Sequence, residues 1–184
     1  EGTPANAPPD ALIWFAHQLG RCALLSGHPA TARRWLSEAL ARCEAYELVS
    51  AHRLVLSALA TAHAWLGDAA DAAAAVAELD RLPRHPFVAS EHEMGRGWAA
   101  AVAGDLPGAR HVLRAAAQEA VSRGDRMSEA WLLHDVVRLG DPGAVAGRLA
   151  ELARECEGGL VPAYADHAAA RTADALVDVT DRFE

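Results

Sequence analysis

Four glycines, each followed by Asp or His, divide this chain at regular intervals, and a helix-forming, Ala-rich stretch resumes after each of them. The four dipeptides are Gly27-His28, Gly67-Asp68, Gly104-Asp105 and Gly140-Asp141. By subtraction, their spacings are 40, 37 and 36 residues. Gly readily takes the left-handed conformation that ends a helix, and repeat periods of about 20 to 50 residues are typical of stacked helical arrays. The spacing therefore predicts a series of helical hairpins, each of which turns at its glycine.

Small and aliphatic residues recur at similar offsets around each of these turns, where two antiparallel helices need their contact residues. The predicted contact positions are Leu19, Gly20, Ala23, Ala32, Leu36, Ala39 and Leu40 in the first unit; Leu59, Ala60, His63, Ala72, Val76 and Leu79 in the second; Gly97, Ala100, Ala109, Leu113 and Ala116 in the third; and Leu132, Val136, Val145, Leu149 and Leu152 in the fourth. Pro29, Pro107 and Pro142 suit the first turn of a second helix, and Asp68 suits its N-cap. Gly124 falls out of this register and is expected to mark the joint between the third and fourth units.

The composition favours an all-α domain and excludes several kinds of chemistry. Ala is the best helix former, whereas the β-branched runs typical of strands are scarce. All 17 basic residues are Arg, so a phosphate-loop Lys, a Schiff-base Lys and a kinase ATP-binding Lys are all absent from this sequence. The net charge of -8 argues against direct binding of nucleic acid, which needs a positive face. The exclusive use of Arg also suggests a GC-rich, actinobacterial source.

Three cysteines without a C-x-x-C pair indicate neither a disulfide framework nor a zinc ribbon, so a reducing cytoplasm is expected. Neither a secretory leader nor a long apolar run is present, so we expect a soluble chain that does not bind a membrane. We expect no cofactor in this segment.

The pattern divides the chain into a linker and one helical-repeat domain. Residues 1–10 are Pro-rich and predict a linker severed from something upstream, and residues 11–184 form the predicted domain. Its predicted repeats are 11–46, 48–82, 88–123, 126–157 and a partial repeat at 160–184. The stretch 81–90, with Pro83 and Pro86, is the predicted loop and hinge.

In the partial repeat, Tyr164, His167 and Ala168 are assigned to a first helix and Leu176, Val179 and Phe183 to a second, with a shortened connection at 171–174. Terminal repeats need a polar outer face, so an exposed Phe183 suggests a homodimer through this end.

The unit resembles the tetratricopeptide (TPR) repeat, whose motif places a Leu-Gly pair, an aromatic residue, a Gly-Asp turn and Ala at fixed positions of a hairpin. The resemblance covers about residues 11–156 and implies four to five antiparallel hairpins stacked into a right-handed superhelix. The aromatic expected in the first helix is replaced by Ala23, His63, Ala100 and Val136, and the period exceeds that of the family. An irregular superhelix is therefore expected.

Longer phrases resemble the repeat region of large actinobacterial LuxR-type regulators. They are LGRCALLSGHPATARRWLSEAL at 19–40, SEAWLLHDVVRLGDPGAVAGRLAEL at 128–152 and LVDVTDRFE at 176–184. In that family an ATPase module precedes a TPR-like sensor region, and a helix-turn-helix that binds DNA follows it. The resemblance implies a non-catalytic sensor and scaffold segment of a transcription regulator, and neither flanking domain lies within these residues.

In TPR arrays the first helix of each hairpin lines a concave groove that holds a protein partner or small effector. Carried over by register, the groove positions are Trp14, His17, Arg21, Ser57, Thr61, Trp65, Glu91, Met94, Trp98, Met127, His134 and Arg138. They do not reproduce the Lys, Asn and Arg of carboxylate-clamp TPR domains, so a hydrophobic or mixed ligand is expected. The alternative is that Trp14, Trp65 and Trp98 are packed core, because Trp and Met at helical spacing are often structural.

Three functions follow from this sequence. The first is the sensor segment of a LuxR-type regulator, and the second is a free-standing adaptor that recruits another protein. A remote third is a metal-dependent enzyme built on His85, Glu91, His92 and Glu93. That cluster lacks the H-E-x-x-H arrangement, and neighbouring residues on a helix diverge by about 100°. We therefore assign no catalytic and no metal-binding residue.

Overall fold

The computed structural model describes residues 8–83 and 89–180 and is all-helical over these ranges. The helices are α1 (Pro9–Leu25), α2 (Pro29–Tyr46), α3 (Val49–Leu66), α4 (Ala69–Arg81), α5 (Ala89–Val102), α6 (Leu106–Arg123), α7 (Arg126–Arg138), α8 (Ala146–Glu155) and α9 (Leu160–Thr180). The prediction of an all-α chain is confirmed. Within the described ranges, none of the helices is both long enough and apolar enough to cross a bilayer.

All four predicted turn glycines end a helix in the left-handed conformation. Their φ angles lie between 74° at Gly27 and 91° at Gly104, and the backbone N–H of Gly67 returns to the carbonyl of Ala64 at 3.1 Å. Gly124, with φ of 70°, separates α6 from α7 as predicted. Each helix ends at its glycine because residues with an L side chain disfavour a positive φ angle, whereas glycine adopts it readily.

The residues that were predicted to begin the second helix of each hairpin occupy that position in some units and not in others. Pro29 and Pro107 lie in the first turns of α2 and α6, as predicted. Asp68 occupies the N-cap position of α4, but its side chain makes no capping bond and instead lies 3.3 Å from the Arg33 guanidinium. The prediction for Pro142 was wrong, because α8 begins only at Ala146 and Pro142 lies in the preceding turn.

The chain folds into two compact units, Glu1–Ala109 and Arg110–Glu184, and the boundary between them falls inside α6. It does not fall at the predicted hinge, since α3 and α4 both pack against α5. Within that predicted loop, residues 84–88 lie outside the described ranges.

In the first unit, α1 packs against α2 and α3, while α3 also packs against α2, α4 and α5. Most of the predicted contact positions are buried, among them Leu36 of α2 and Leu79 of α4. A Cβ on Gly20 would lie 2.6 Å from Cγ of Leu36, so the absence of a side chain there allows α1 and α2 to approach closely. Leu19 differs from its neighbours because 39% of it remains exposed.

In the second unit, α7 packs against α8 and α9, and α8 packs against α9. Glu129 of α7 is buried and accepts two bonds from Arg148 of α8, at 2.7 Å and 3.0 Å. The predicted fifth hairpin was wrong: residues 160–180 form one continuous helix, and residues 171–174 lie inside it. No Gly or Pro interrupts this stretch after Pro162, so helix propensity carries it through. Phe183, on which the homodimer expectation rests, lies outside the described residues.

Candidate functional site

Two half-buried tryptophans of the first unit, Trp65 on α3 and Trp98 on α5, form an edge-to-face pair. Their ring centroids are 5.4 Å apart, and the ring planes are inclined by 80°. Both rings also pack against a cluster of buried residues that consists of Ala64, Ala72 and Ala99. Edge-to-face pairing is a favourable aromatic geometry, so the two rings hold each other while keeping part of their surface open.

An ion pair joins α1 to α5 in the same unit. A guanidinium nitrogen of Arg21 lies 3.6 Å from a carboxylate oxygen of Glu91, and each side chain keeps about a quarter of its surface exposed. Because both groups are accessible, the pair is weakly stabilising and is open to competition by a charged ligand. Met94, one helical turn after Glu91, is half-buried. We call Arg21, Trp65, Glu91, Met94 and Trp98 the tryptophan face.

Two predicted groove residues, Ser57 and Thr61, are instead occupied in the contact between α3 and α5. Each is only 3% exposed. The Ser57 hydroxyl donates to the carbonyl of Glu91 at 2.8 Å and accepts the backbone N–H of Gly95 at 3.0 Å. The Thr61 hydroxyl donates to the carbonyl of Ser57 at 3.1 Å. These hydroxyls are bonded to backbone, so they are not open to a ligand in this conformation.

Trp14 and His17 lie one turn apart on α1 in different environments. Trp14 is 39% exposed, whereas His17 is 2% exposed, and their ring centroids are 6.0 Å apart. Burial, and secondly the charge of Arg21, lowers the pKa of His17 to about 4. His17 is therefore a neutral packed residue near pH 7, and its prediction as an open groove residue was wrong because burial in α1 closes it off.

In the second unit, His134 of α7 meets two residues of α9. Its Nε2 lies 3.0 Å from Nδ1 of His167, and its ring stacks on Tyr164 with centroids 3.9 Å apart and planes inclined by only 8°. Burial, then the charges of His167 and Arg138, lowers the pKa of His134 to about 4. Burial also raises the pKa of Tyr164, against a hydrogen bond with Trp131 that lowers it. The neutral His134 ring therefore joins α7 to α9 through its hydrogen bond with His167 and its stacking on Tyr164.

The other two predicted groove residues of this unit are more open and lie at opposite ends of α7. Met127 is 37% exposed at the start of the helix. Arg138 is exposed at its end and donates to Asp135 at 2.9 Å. The helix therefore presents them to different parts of the unit's surface.

The residues considered for a metal-dependent enzyme have different partners. Nδ1 of the buried His92 accepts from Arg53 at 3.4 Å, while Glu93 pairs with Arg96 at 2.8 Å and Glu91 pairs with Arg21. His85 lies outside the described residues. The three described side chains thus diverge, as expected for neighbours on a helix.

Two other groups in the described ranges bring one His and two carboxylates close together. The ligand atoms of Glu44, His52 and Glu78 lie within 4.8 Å of one another, as do those of His63, Asp68 and Asp71. Such donors suit Zn²⁺ chemically. In the second group the Arg33 guanidinium already pairs with Asp68, which weakens the case for a cation there.

Two arginines that the sequence analysis did not single out hold helix C-termini. Arg53, buried on α3, donates to the carbonyls of Leu79 and Leu82 at 2.9 Å and 2.8 Å at the end of α4. Arg110 of α6 donates to the carbonyl of Leu139 at the end of α7. Cations are favourable there because the last carbonyls lack helical partners. In the sequence, Arg53 stands directly before the apolar run of α3, and this position is the feature that could have indicated its buried role.

Comparison with known proteins identifies no relative of this chain: no family model matches it, and neither a curated protein nor a solved structure is significantly similar to it. The fold and the side-chain geometry therefore carry the functional argument.

Proposed function

We propose that this chain is a binding module built from TPR-like helical hairpins, and that the tryptophan face is where it binds a protein partner or a small effector. The partly open rings of Trp65 and Trp98 are the observation that carries this proposal. Tryptophan is enriched among the residues that dominate binding energy at interfaces, and Met94, one helical turn before Trp98 on α5, offers an adaptable apolar contact.

The chemistry of the tryptophan face favours a ligand that is mainly apolar with one charged or polar group. Trp65, Trp98 and Met94 supply apolar surface, while Arg21 and Glu91 offer one charge of each sign. A ligand carboxylate would compete with Glu91 for Arg21, and a ligand cation would compete with Arg21 for Glu91. Because the ion pair joins α1 to α5, either event would alter how the first hairpin is held against α5.

We further propose that the module is the sensor and scaffold segment of a LuxR-type transcription regulator. The phrases at 19–40 and 128–152 support this class, and they correspond to α1–α2 and α7–α8. In this proposal ligand binding is converted into a change in hairpin packing, and DNA is bound by a separate helix-turn-helix. The sequence of the flanking gene tests the class. A Gly-rich phosphate-binding loop upstream and a helix-turn-helix downstream are expected, and the absence of both would leave the free-standing adaptor.

The binding surface is tested by the variant Trp98→Ala with 1-anilinonaphthalene-8-sulfonate as the probe, since this molecule combines an apolar ring system with one anionic group. We expect Trp98→Ala and Arg21→Gln to weaken probe binding several-fold while circular dichroism shows unchanged helicity. Trp35→Ala is the matched control, because Trp35 is partly buried against the α1–α2 core rather than paired with Trp65. Equal probe affinity in wild type and Trp98→Ala would contradict the assignment, as would a loss of helicity restricted to Trp98→Ala.

A further inference from the structure

Three side chains from three different helices of the first unit converge on one point. Glu44 belongs to α2, His52 to α3 and Glu78 to α4. One ligand atom of each residue lies within 4.8 Å of the other two, and Nε2 of His52 lies 3.2 Å from a carboxylate oxygen of Glu78. We call Glu44, His52 and Glu78 the three-helix cluster.

The distances within the three-helix cluster suit one small divalent cation. Zn²⁺ binds imidazole nitrogen and carboxylate oxygen at about 2.0 to 2.2 Å, so two ligands of a tetrahedral Zn²⁺ are roughly 3.4 Å apart. The separation of 3.2 Å between His52 and Glu78 is close to this value. Glu44 has an exposed side chain, so rotation of that side chain brings its carboxylate into range of the same ion.

Both carboxylates of the cluster lie in the last turn of a helix, where negative charge is unfavourable. Glu44 lies in the last turn of α2, which contains no basic residue, and Glu78 lies in the last turn of α4. The carbonyls at a helix C-terminus carry partial negative charge, so each carboxylate adds to a field of its own sign. A cation bound between them would relieve this repulsion.

The arginines that the structure describes do not neutralise the two carboxylates. None of them forms an ion pair with Glu44 or Glu78, whose recorded partner is His52, and this includes Arg81 in the last turn of α4. Arg42, on α2, pairs instead with Glu38 at 2.8 Å. The cluster therefore holds two negative charges close together without a paired arginine among the described residues.

The second His–carboxylate group, formed by His63, Asp68 and Asp71, differs in both respects. Asp68 is the N-cap residue of α4 and Asp71 lies in its first turn, where the helix dipole stabilises negative charge. The guanidinium of Arg33 also pairs with Asp68 at 3.3 Å. The carboxylates of this group are thus stabilised without a metal ion, whereas those of the three-helix cluster are not.

We propose that the three-helix cluster binds a first-row divalent metal ion such as Zn²⁺, and that this ion stabilises the contact of α2 with α3 and α4. The two carboxylates balance the charge of the ion, and His52 coordinates it through Nε2 as a neutral imidazole with its proton on Nδ1. An imidazole ligand favours such an ion over Mg²⁺ and Ca²⁺, which take oxygen ligands. The proposal goes beyond the proposed function and does not depend on it, because the cluster and the tryptophan face share no residue.

Isothermal titration calorimetry of the metal-free whole chain with ZnCl₂ tests this site. We expect one ion to bind at the cluster, with a dissociation constant that rises at least about tenfold in His52→Gln and in Glu44→Gln. His63→Gln and Asp71→Asn are the matched controls, because they make equivalent changes in the second group and should leave the affinity unchanged. A large excess of Mg²⁺ should not displace the Zn²⁺. Glu44→Gln keeps the test valid if His52→Gln fails to fold, because Glu44 is exposed.

The absorption spectrum of the Co²⁺-loaded chain supplies a second readout. Co²⁺ bound by imidazole and carboxylates should give visible d–d bands without the near-ultraviolet charge-transfer band of a thiolate ligand. A thiolate band would place the ion on Cys22, Cys43 or Cys156 and would overturn the proposal. So would a wild-type chain that takes up no Zn²⁺, or Zn²⁺ binding that is unchanged in both His52→Gln and Glu44→Gln. Binding lost equally in the control His63→Gln would assign the ion to the second group and would also contradict the proposal.

Discussion

Single residues in this protein act mainly through conformations and protonation states that their neighbours impose. An added Cβ at Gly27, Gly67 or Gly104 would meet no atom within 4 Å, so glycine is favoured at these positions only by their positive φ angles. His17 and His134 are held neutral by burial. These residues therefore contribute to the turns and to the packing between helices.

The first prediction concerns Gly67, whose φ is 84° and whose added Cβ would meet nothing within 4 Å. Gly67→Ala should lower the free energy of unfolding by about 1 kcal/mol, because the only cost is the left-handed backbone. Gly67→Asn should lose less, since Asn tolerates this conformation. Urea denaturation measures both, and an equal loss in the two variants would contradict a purely conformational origin.

The second prediction concerns His17, whose pKa falls from 6.5 to about 4 in the folded state. Between these two values the unfolded chain binds the proton and the folded chain does not, so stability is full above pH 6.5 and decreases as the pH falls toward 4. At about 1.36 kcal/mol for each pKa unit, the full loss from this group is about 3 kcal/mol.

His17→Phe removes this titration, so the variant should lose less stability than wild type between pH 7 and pH 4.5 in urea denaturation. His111→Gln, at an exposed position, is the matched control and should follow the wild-type curve. Parallel losses in wild type and His17→Phe would show that His17 does not carry the acid sensitivity.

At the scale of the elements, close contacts between helices depend on residues without side chains. Gly95 of α5 lies against the backbone of α3, where an added Cβ would be 2.3 Å from the carbonyl oxygen of Ser57. The same approach brings the N–H of Gly95 to the Ser57 hydroxyl. The α3–α5 contact is therefore a backbone contact that only glycine at position 95 permits, and it is what buries Ser57.

The third prediction follows from this contact. Gly95→Ala should lower the free energy of unfolding by about 2 kcal/mol, since overpacking outweighs the gain in helix propensity. Gly147→Ala is the matched control, because Gly147 lies in α8 with nothing within 4 Å of an added Cβ, and it should be neutral or stabilising. Thermal unfolding monitored by circular dichroism compares them, and a neutral Gly95→Ala would contradict the close approach.

At the scale of the whole molecule, each of the two compact units joins its helices through both apolar packing and buried polar contacts. In the first unit, the Ser57 hydroxyl joins α3 to α5 and the buried Arg53 joins α3 to the end of α4. In the second unit the buried Glu129 and Arg148 join α7 to α8, and the stacked His134 and Tyr164 rings join α7 to α9. Each unit thus combines apolar packing with hydrogen bonds between its own helices.

The fourth prediction concerns the acidic balance of the chain. With a net charge of -8 and a sequence pI of about 5.6, the protein should show no binding to duplex DNA at physiological salt. Fluorescence anisotropy with a labelled random-sequence duplex measures this, and a basic DNA-binding domain serves as the positive control. Salt-dependent binding by this chain would contradict the assignment of DNA contacts to a separate domain.

The sequence alone was sufficient for the helical class, for the ends of most helices and for the residues buried between hairpin partners. These features are local, because a glycine stop such as Gly67 and the spacing from Ala32 to Leu36 act within a few residues of the chain.

The tertiary structure alone decided which surfaces remain open. Ser57 and Thr61 were predicted as groove residues and are buried, because Gly95 lets α5 approach the backbone of α3. Leu19 was predicted as a contact residue and is partly exposed on the outer side of α1. Exposure depends on how closely helices distant in the sequence approach one another, and no short-range pattern encodes that distance.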